Sequence, residues 1–207
     1  MSVAIKICGI TRVQDGVAAA SLGANAIGLM FFRGSARFVT LARAKEIITA
    51  IPPFVSVVAV FVNPEKDQVT QIIDNLSVDL LQFHGDESAE FCTQFSRPYI
   101  KAVRVKPGVD LLQYAIGYSQ SKGLLVDAFI EGSQGGTGQV FDWSLIPKNI
   151  SRPLILSGGL NSGNVKQAVA QVKPWAVDVS SGVETEKGIK DAMKIAAFIR
   201  EARYEVA

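Results

Sequence analysis

Leu154-Ile155-Leu156-Ser157-Gly158-Gly159-Leu160 and Ala176-Val177-Asp178-Val179-Ser180-Ser181-Gly182-Val183-Glu184 decide the fold of this chain. Each is a short apolar run that ends in small residues and leads into a helix-like stretch. Small residues let backbone N–H groups approach a ligand closely, and a following helix adds positive potential. Two such turns in succession, late in a strand–helix repeat, stand where a (β/α)8 barrel holds a phosphate. The expected donors are the N–H groups of Gly158, Gly159, Ser181 and Gly182, assisted by the hydroxyls of Ser180 and Ser181.

Upstream of these turns the chain alternates. Apolar runs begin near Val3, Ala26, Phe54, Asp79, Tyr99, Gly123, Pro153 and Ala176. Near-continuous apolar runs of this length fit strands buried on both faces. Helical spacing is read over Val13 to Leu22, Leu41 to Ile51, Glu65 to Leu76, Ser88 to Phe95, Leu111 to Tyr118, Ser162 to Val172 and Ile189 to Arg203. In the second of these, Leu41, Ala44, Ile47, Ile48 and Ile51 share one face, and Pro52-Pro53 stops the helix. The segment after the sixth strand is a poor helix because it passes through Gly132 to Gly138, which reads as a loop or a lid over substrate. A parallel sheet closed on itself follows, a single (β/α)8 barrel over residues 1–207. An open doubly wound sheet would carry a glycine fingerprint after the first strand, and Cys8-Gly9-Ile10-Thr11 does not supply one.

Composition narrows the function. The 207 residues suit one domain, somewhat below the roughly 250 typical of such barrels. A net charge of +2, from scattered basic residues, gives no case for nucleic acid or an anionic membrane. No apolar stretch reaches the roughly 20 residues of a membrane span, and the N-terminus has no export pattern, so a cytoplasmic protein is expected. Two cysteines, Cys8 and Cys92, do not make a disulfide framework. One histidine, His84, is too few for a histidine-rich metal site, so neither metal nor organic cofactor is expected. A monomer is expected, since no extra apolar face is evident.

Barrel chemistry sits at the C-terminal ends of the strands. Cys8 ends the first strand. A cysteine there is by default a small buried hydrophobe, but a thiolate is a competent base or nucleophile. Cys92, inside a helix, reads as packing. Asp127 ends the sixth strand after three apolar residues; it is either a cap or ion-pair partner, or a general acid at the rim. Arg37 follows the second strand and suits a carboxylate, with Phe32 and Phe38 expected to line an aromatic pocket around it. His84 follows the fourth strand and either contacts substrate or closes the turn. Asp178, counted with Arg37 and His84 among the candidate substrate contacts, shares the face of Ser180 by alternation and is placed to anchor Lys6, which lies on the Cys8 face of the first strand.

Together these residues resemble the phosphoribosylanthranilate isomerase family of tryptophan biosynthesis. The matching segments are VAIKICGIT (3–11), GLMFFRGSARFV (28–39), LLQFHGDE (80–87), LLVDAF (124–129), GGTGQVFDW (135–143), ILSGGLN (155–161) and VDVSSGVE (177–184). The resemblance implies an Amadori rearrangement of N-(5-phosphoribosyl)anthranilate to the open-chain aminoketose, with a phosphorylated sugar as substrate and no cofactor. It implies Asp127 as general acid, Cys8 as general base, Arg37 as the site of the anthranilate carboxylate, and the two glycine turns as the phosphate site. The histidine-pathway isomerase performs the same chemistry on a related barrel, but its family has an aspartate where this chain has Cys8. A bifunctional isomerase and a non-catalytic sugar-phosphate binder are rival readings of the same barrel. The binder would need neither Cys8 nor Asp127.

Overall fold

The computed structural model describes residues 2–105, 108–127 and 143–204. Eight parallel strands pair in chain order: β1 (Ala4–Cys8), β2 (Ala26–Met30), β3 (Ser56–Phe61), β4 (Leu80–Phe83), β5 (Tyr99–Arg104), β6 (Leu124–Asp127), β7 (Leu154–Ser157) and β8 (Ala176–Val179). Strand β8 closes the cylinder on β1, with Lys6 in register with Asp178 and Ile7 with Val179. This is the (β/α)8 barrel that the alternating sequence predicts.

Period-two alternation divides each strand between two environments. Ile5, Ile7, Ile27, Leu29, Ala59, Phe61, Leu81, Phe83, Leu124, Val126, Leu156 and Val177 join one large apolar shell between sheet and helices. The intervening residues face the cylinder interior. Ile100, Ala102, Leu125, Ile155 and Ala176 plug its N-terminal part. Cys8, Val58 and Val60 form a second small cluster higher up. The polar residues of the interior sit near the C-terminal mouth, above that apolar plug.

Seven helices are described: α1 (Val13–Ser21), α2 (Leu41–Ala50), α3 (Lys66–Asn75), α4 (Ala89–Thr93), α5 (Leu111–Gly117), α6 (Val165–Val172) and α7 (Ala192–Ala202). Helix α2 buries Ala44 and Ile47, as its spacing requires, and Thr40 caps it by accepting from the Arg43 N–H at 3.2 Å. Cys92 is buried on α4, consistent with packing. Two helix starts differ from the sequence reading. Helix α6 begins at Val165, because residues from Asn161 to Asn164 form a turn in which Asn164 Oδ1 accepts from the Asn161 N–H. Helix α7 begins at Ala192, not Ile189. Ile189–Lys190 instead form strand β10, antiparallel to β9 (Glu184–Glu186), across a turn where Gly188 has φ +84°. Asp191 then caps α7, accepting from the N–H groups of Met193 and Lys194. Periodicity missed this hairpin because two strand residues are too few to alternate.

Between β6 and β7 the described part is a 3-10 turn at Trp143–Leu145. The expected loop or lid at Gly132–Gly138, and most of the segment 135–143, lie outside the described residues. Among the described residues, no helix is long and apolar enough to cross a membrane.

Candidate active site

At the C-terminal mouth a cavity of about 290 Å³ is lined by Cys8, Arg37, His84, Asp127, Asp178 and the turns after β7 and β8. A larger cavity of about 860 Å³ lies toward the opposite end, near Ser2, Trp143 and Trp175. Among the described residues no acid, histidine or cysteine lines that larger one. The mouth brings together sulfur and carboxylate from opposite parts of the chain.

Cys8 is buried. Its in-register neighbour on β2 is Gly28, where a Cβ would stand 2.7 Å from the Cys8 sulfur and 3.1 Å from Lys6 Nζ. Glycine at position 28 therefore makes room for both groups. Burial pushes the Cys8 thiol above its ordinary pKa; the Lys6 ammonium pulls the other way without cancelling it. Lys6 itself bonds Asp178 at 2.8 Å across the β1–β8 pair. Burial works against its charge, but Asp178 and Cys8 outweigh burial and raise its pKa. The second oxygen of Asp178 accepts from Ser157 Oγ at 3.3 Å. Thus Asp178 lines the cavity while both its oxygens have partners within the barrel.

A consequence can be measured. In Lys6→Gln the thiol loses its cation and Asp178 loses its ion-pair partner. Breaking one side of a buried pair costs about 3–5 kcal/mol, so the melting temperature falls. Thiolate absorbance, followed against pH, starts later than in the wild type. An unchanged thiol titration would show that Lys6 does not influence Cys8.

Asp127 ends β6 in register with Ser157. Its Oδ2 lies 3.1 Å from His84 Nε2, and His84 Nδ1 lies 2.9 Å from Gln82 Nε2. The sequence placed His84 near substrate or in a turn; the structure sets it on the cavity wall with its ring against Asp127. Its loop is fastened from below. Lys101 Nζ donates to Gly85 O at 2.5 Å and to Glu87 Oε2 at 2.8 Å, and both Glu87 oxygens accept from the Gly85 N–H.

Arg37 reaches the cavity from the loop after β2. Its Nε and Nη2 donate side-on to the Glu184 carboxylate at 2.7 and 2.6 Å. Glu184 also accepts from Lys190 Nζ at 2.7 Å, and Lys190 continues to the carbonyl and hydroxyl of Ser180. Burial opposes ionisation of Glu184, yet Arg37 and Lys190 prevail and hold its carboxyl below the usual range. Burial lowers the pKa of Lys190 against the pull of Glu184. Three charges thus leave an excess of one positive, and Arg37 Nη1 takes no partner among the described residues. A guanidinium gripped on its Nε side presents its remaining edge to a second anion. Gly9, at φ +74°, permits this path: a Cβ there would collide with the Arg37 stem.

The expected aromatic pocket around Arg37 is absent from the described cavity wall, which Met30 and Ser35 supply instead. Phe32 is exposed and packs on Gly34, while the Phe38 ring lies under the Arg33 guanidinium at 5.4 Å. Both rings turn away from the face that Arg37 uses.

The two glycine turns meet at the mouth. Gly158 and Gly159 have φ of +89° and +65°, which glycine adopts without strain. Both line the cavity, with Ser180 and Ser181. Gly182 does not line it. A Cβ on Gly182 would collide with the Leu160 carbonyl, so this glycine lets the two turns pack against each other. Sequence reasoning missed Glu184, Lys190 and Gln82. The first closes the SSGVE motif, which was the available signal; the other two gave none, one hidden in a stretch read as helix and one in an apolar strand.

The sequence profile of the N-(5′-phosphoribosyl)anthranilate (PRA) isomerase family matches residues 5–201. The N-(5′-phosphoribosyl)anthranilate isomerase of Nitrosospira multiformis is 60% identical over 200 residues, covering 97% of this chain and 96% of that one. The crystal structure of phosphoribosyl anthranilate isomerase from Thermotoga maritima superposes with a TM-score of 0.90 at 40% identity, covering 97% and 98% of the two chains. A crystal structure of the isomerase in complex with reduced 1-(o-carboxyphenylamino)-1-deoxyribulose 5-phosphate gives 0.86 at 38% identity, with the same coverage. Profile match, identity and mouth geometry lead to one conclusion: this chain belongs to the phosphoribosylanthranilate isomerase family.

Proposed function

We propose that this chain isomerises N-(5′-phosphoribosyl)anthranilate to 1-(2-carboxyphenylamino)-1-deoxyribulose 5-phosphate, a step of tryptophan biosynthesis, by general acid–base catalysis. The observation that carries this reading is a thiol and a carboxyl group lining one cavity with the two glycine turns and with Arg37, whose Nη1 takes no partner among the described residues. The substrate has a phosphate at one end and an aromatic carboxylate at the other. The turns after β7 and β8 take the first, and Arg37 takes the second.

Asp127 delivers a proton to the furanose ring oxygen. The C1′–O bond breaks and the nitrogen lone pair forms a protonated Schiff base. The Cys8 thiolate then removes the proton from C2′, and those electrons neutralise the iminium to give an enolamine. Tautomerisation to the ketone moves the hydroxyl proton off oxygen and places one on C1′. No electrons enter or leave overall. The Lys6 ammonium favours the thiolate in a setting where burial opposes it. The apolar interior below the mouth keeps the reacting groups on a rigid floor.

A fluorescence assay following consumption of freshly prepared phosphoribosylanthranilate tests the activity; absence of turnover by a folded protein would refute it. Running the histidine-pathway aminoaldose in parallel tests for a second substrate. We also expect Arg37→Ala to weaken binding of the reduced product analogue by about 1.5–3 kcal/mol, the usual worth of a charged hydrogen bond, with a smaller effect on kcat. Equal affinities in a titration would remove Arg37 from the carboxylate site. A monomer is the proposed working unit; sedimentation at assay concentration tests it.

A further inference from the structure

Gln82 lies inside the barrel on β4, fully buried, next to an interior layer of Val58, Val60 and Leu80. Its amide nitrogen meets His84 Nδ1, but its buried Oε1 has no partner among the described residues. An apolar residue here would avoid that unpaired oxygen, and such groups in native proteins call for an explanation. Among the described residues, the amide bonds the imidazole that holds Asp127.

Donor and acceptor rules then fix the proton. An amide nitrogen only donates, so His84 Nδ1 must accept. A neutral imidazole then carries its single N–H on Nε2, aimed at Asp127 Oδ2. With Oδ2 occupied as an acceptor, Oδ1 is the oxygen left to pass a proton to substrate. After the proton has passed to the ring oxygen, the carboxylate left behind keeps its bond from Nε2–H. The opposite tautomer would present a bare Nε2 to Asp127 and draw the acid proton onto the ring side, away from substrate. The loop bearing His84 is held by Lys101 and Glu87, so the ring starts from a fixed backbone.

We propose that Gln82 and His84 are positioning residues: Gln82 locks His84 in its Nε2–H tautomer, and His84 holds one oxygen of Asp127 so that the other delivers the proton. This rests on the reading of Asp127 as the general acid.

His84 is the only histidine of the chain, so the imidazole ¹⁵N spectrum of the uniformly labelled protein reads it without ambiguity. Recorded at pH 8 on the ligand-free protein, it is expected to show a protonated Nε2 and a bare Nδ1. Gln82→Met keeps side-chain length and is expected to give mixed tautomers with a several-fold lower kcat. His84→Ala is expected to lower kcat roughly ten- to hundred-fold, as a misplaced reacting group does, with KM within about threefold. His84→Gln carries an amide N–H in reach of Asp127 and is expected to recover much of the loss. Binding of the reduced product analogue verifies that each variant is folded. An Nδ1–H tautomer in the wild type overturns the proposal, as does a Gln82→Met protein unchanged in both tautomer and kcat. So does a His84→Gln enzyme no faster than His84→Ala. Asp127→Asn separates the two levels. If it retains near-native turnover, the general-acid reading falls and this one with it; if it is inactive while the tests above fail, only the positioning is wrong.

Discussion

Cys8→Ala lowers turnover by about 10²–10⁴-fold, the range for loss of a positioned base, and leaves affinity for the reduced product analogue largely intact. The reason is local. The sulfur occupies a niche cleared by Gly28 and touches neither of the substrate's charged ends in the proposed pose. Alanine removes the base without unlocking Arg37 or the glycine turns. Cys8→Ser is informative beside it, since a hydroxyl fits the niche but is far less acidic than a thiol. It should be nearly as slow as alanine. A serine enzyme with near-native turnover would show that position 8 acts by packing. The pH behaviour has a definite sign. Burial favours the neutral thiol, so in the ligand-free wild type the Cys8 thiolate absorbance appears above the ordinary thiol range as pH is raised. Burial also pushes the Cys92 thiol up, to about 12, so the Cys8 step is read in a Cys92→Ser background. A Cys8 thiolate already formed at neutral pH would contradict this environment.

Asp127→Asn should be equally severe, by about 10²–10⁴-fold, for a different step. Asparagine can still occupy the position beside His84 and Ser157, so folding and analogue binding are expected to survive. It has no acidic proton for the ring oxygen, and the furanose stays closed. Losses from acid and base are not expected to add: once ring opening fails, the base has no acidified C–H to act on. The Cys8→Ala/Asp127→Asn double variant should therefore be little slower than the worse single one. Fully multiplicative losses would mean that the two groups do not serve one reaction sequence. Near-native turnover of Asp127→Asn would remove the carboxyl from the chemistry.

The barrel was legible in the sequence because its two periodicities are long-lived. Eight apolar runs alternate with helical faces, and each strand needs only its own residues to be recognised. The interior alternation Lys6–Cys8 and Asp178–Ser180 was equally readable, and it correctly placed the Lys6–Asp178 pair. The Asp127 and Arg37 positions followed from strand ends. What could not be read was the company each group keeps. Glu184, in an unforeseen hairpin 147 residues away, grips Arg37 and is itself held by Lys190 from the same hairpin. Gln82 looks like a stray polar residue in LLQF until the structure shows its amide against His84, two residues on and on the same face. Phe32 and Phe38 looked like pocket walls because they are neighbours in sequence, yet the loop turns them elsewhere.

The sequence alone thus determined the eight barrel strands, the end of the barrel that carries the candidate site and the residue types standing on its rim, since these depend on local pattern and on the direction of successive side chains. Only the closed cylinder decided which charges meet. Closing β8 on β1 brings together residues that are distant along the chain, and the pairings of Lys6 with Asp178, Arg37 with Glu184 and His84 with Asp127 are set by three-dimensional proximity that no local spacing encodes.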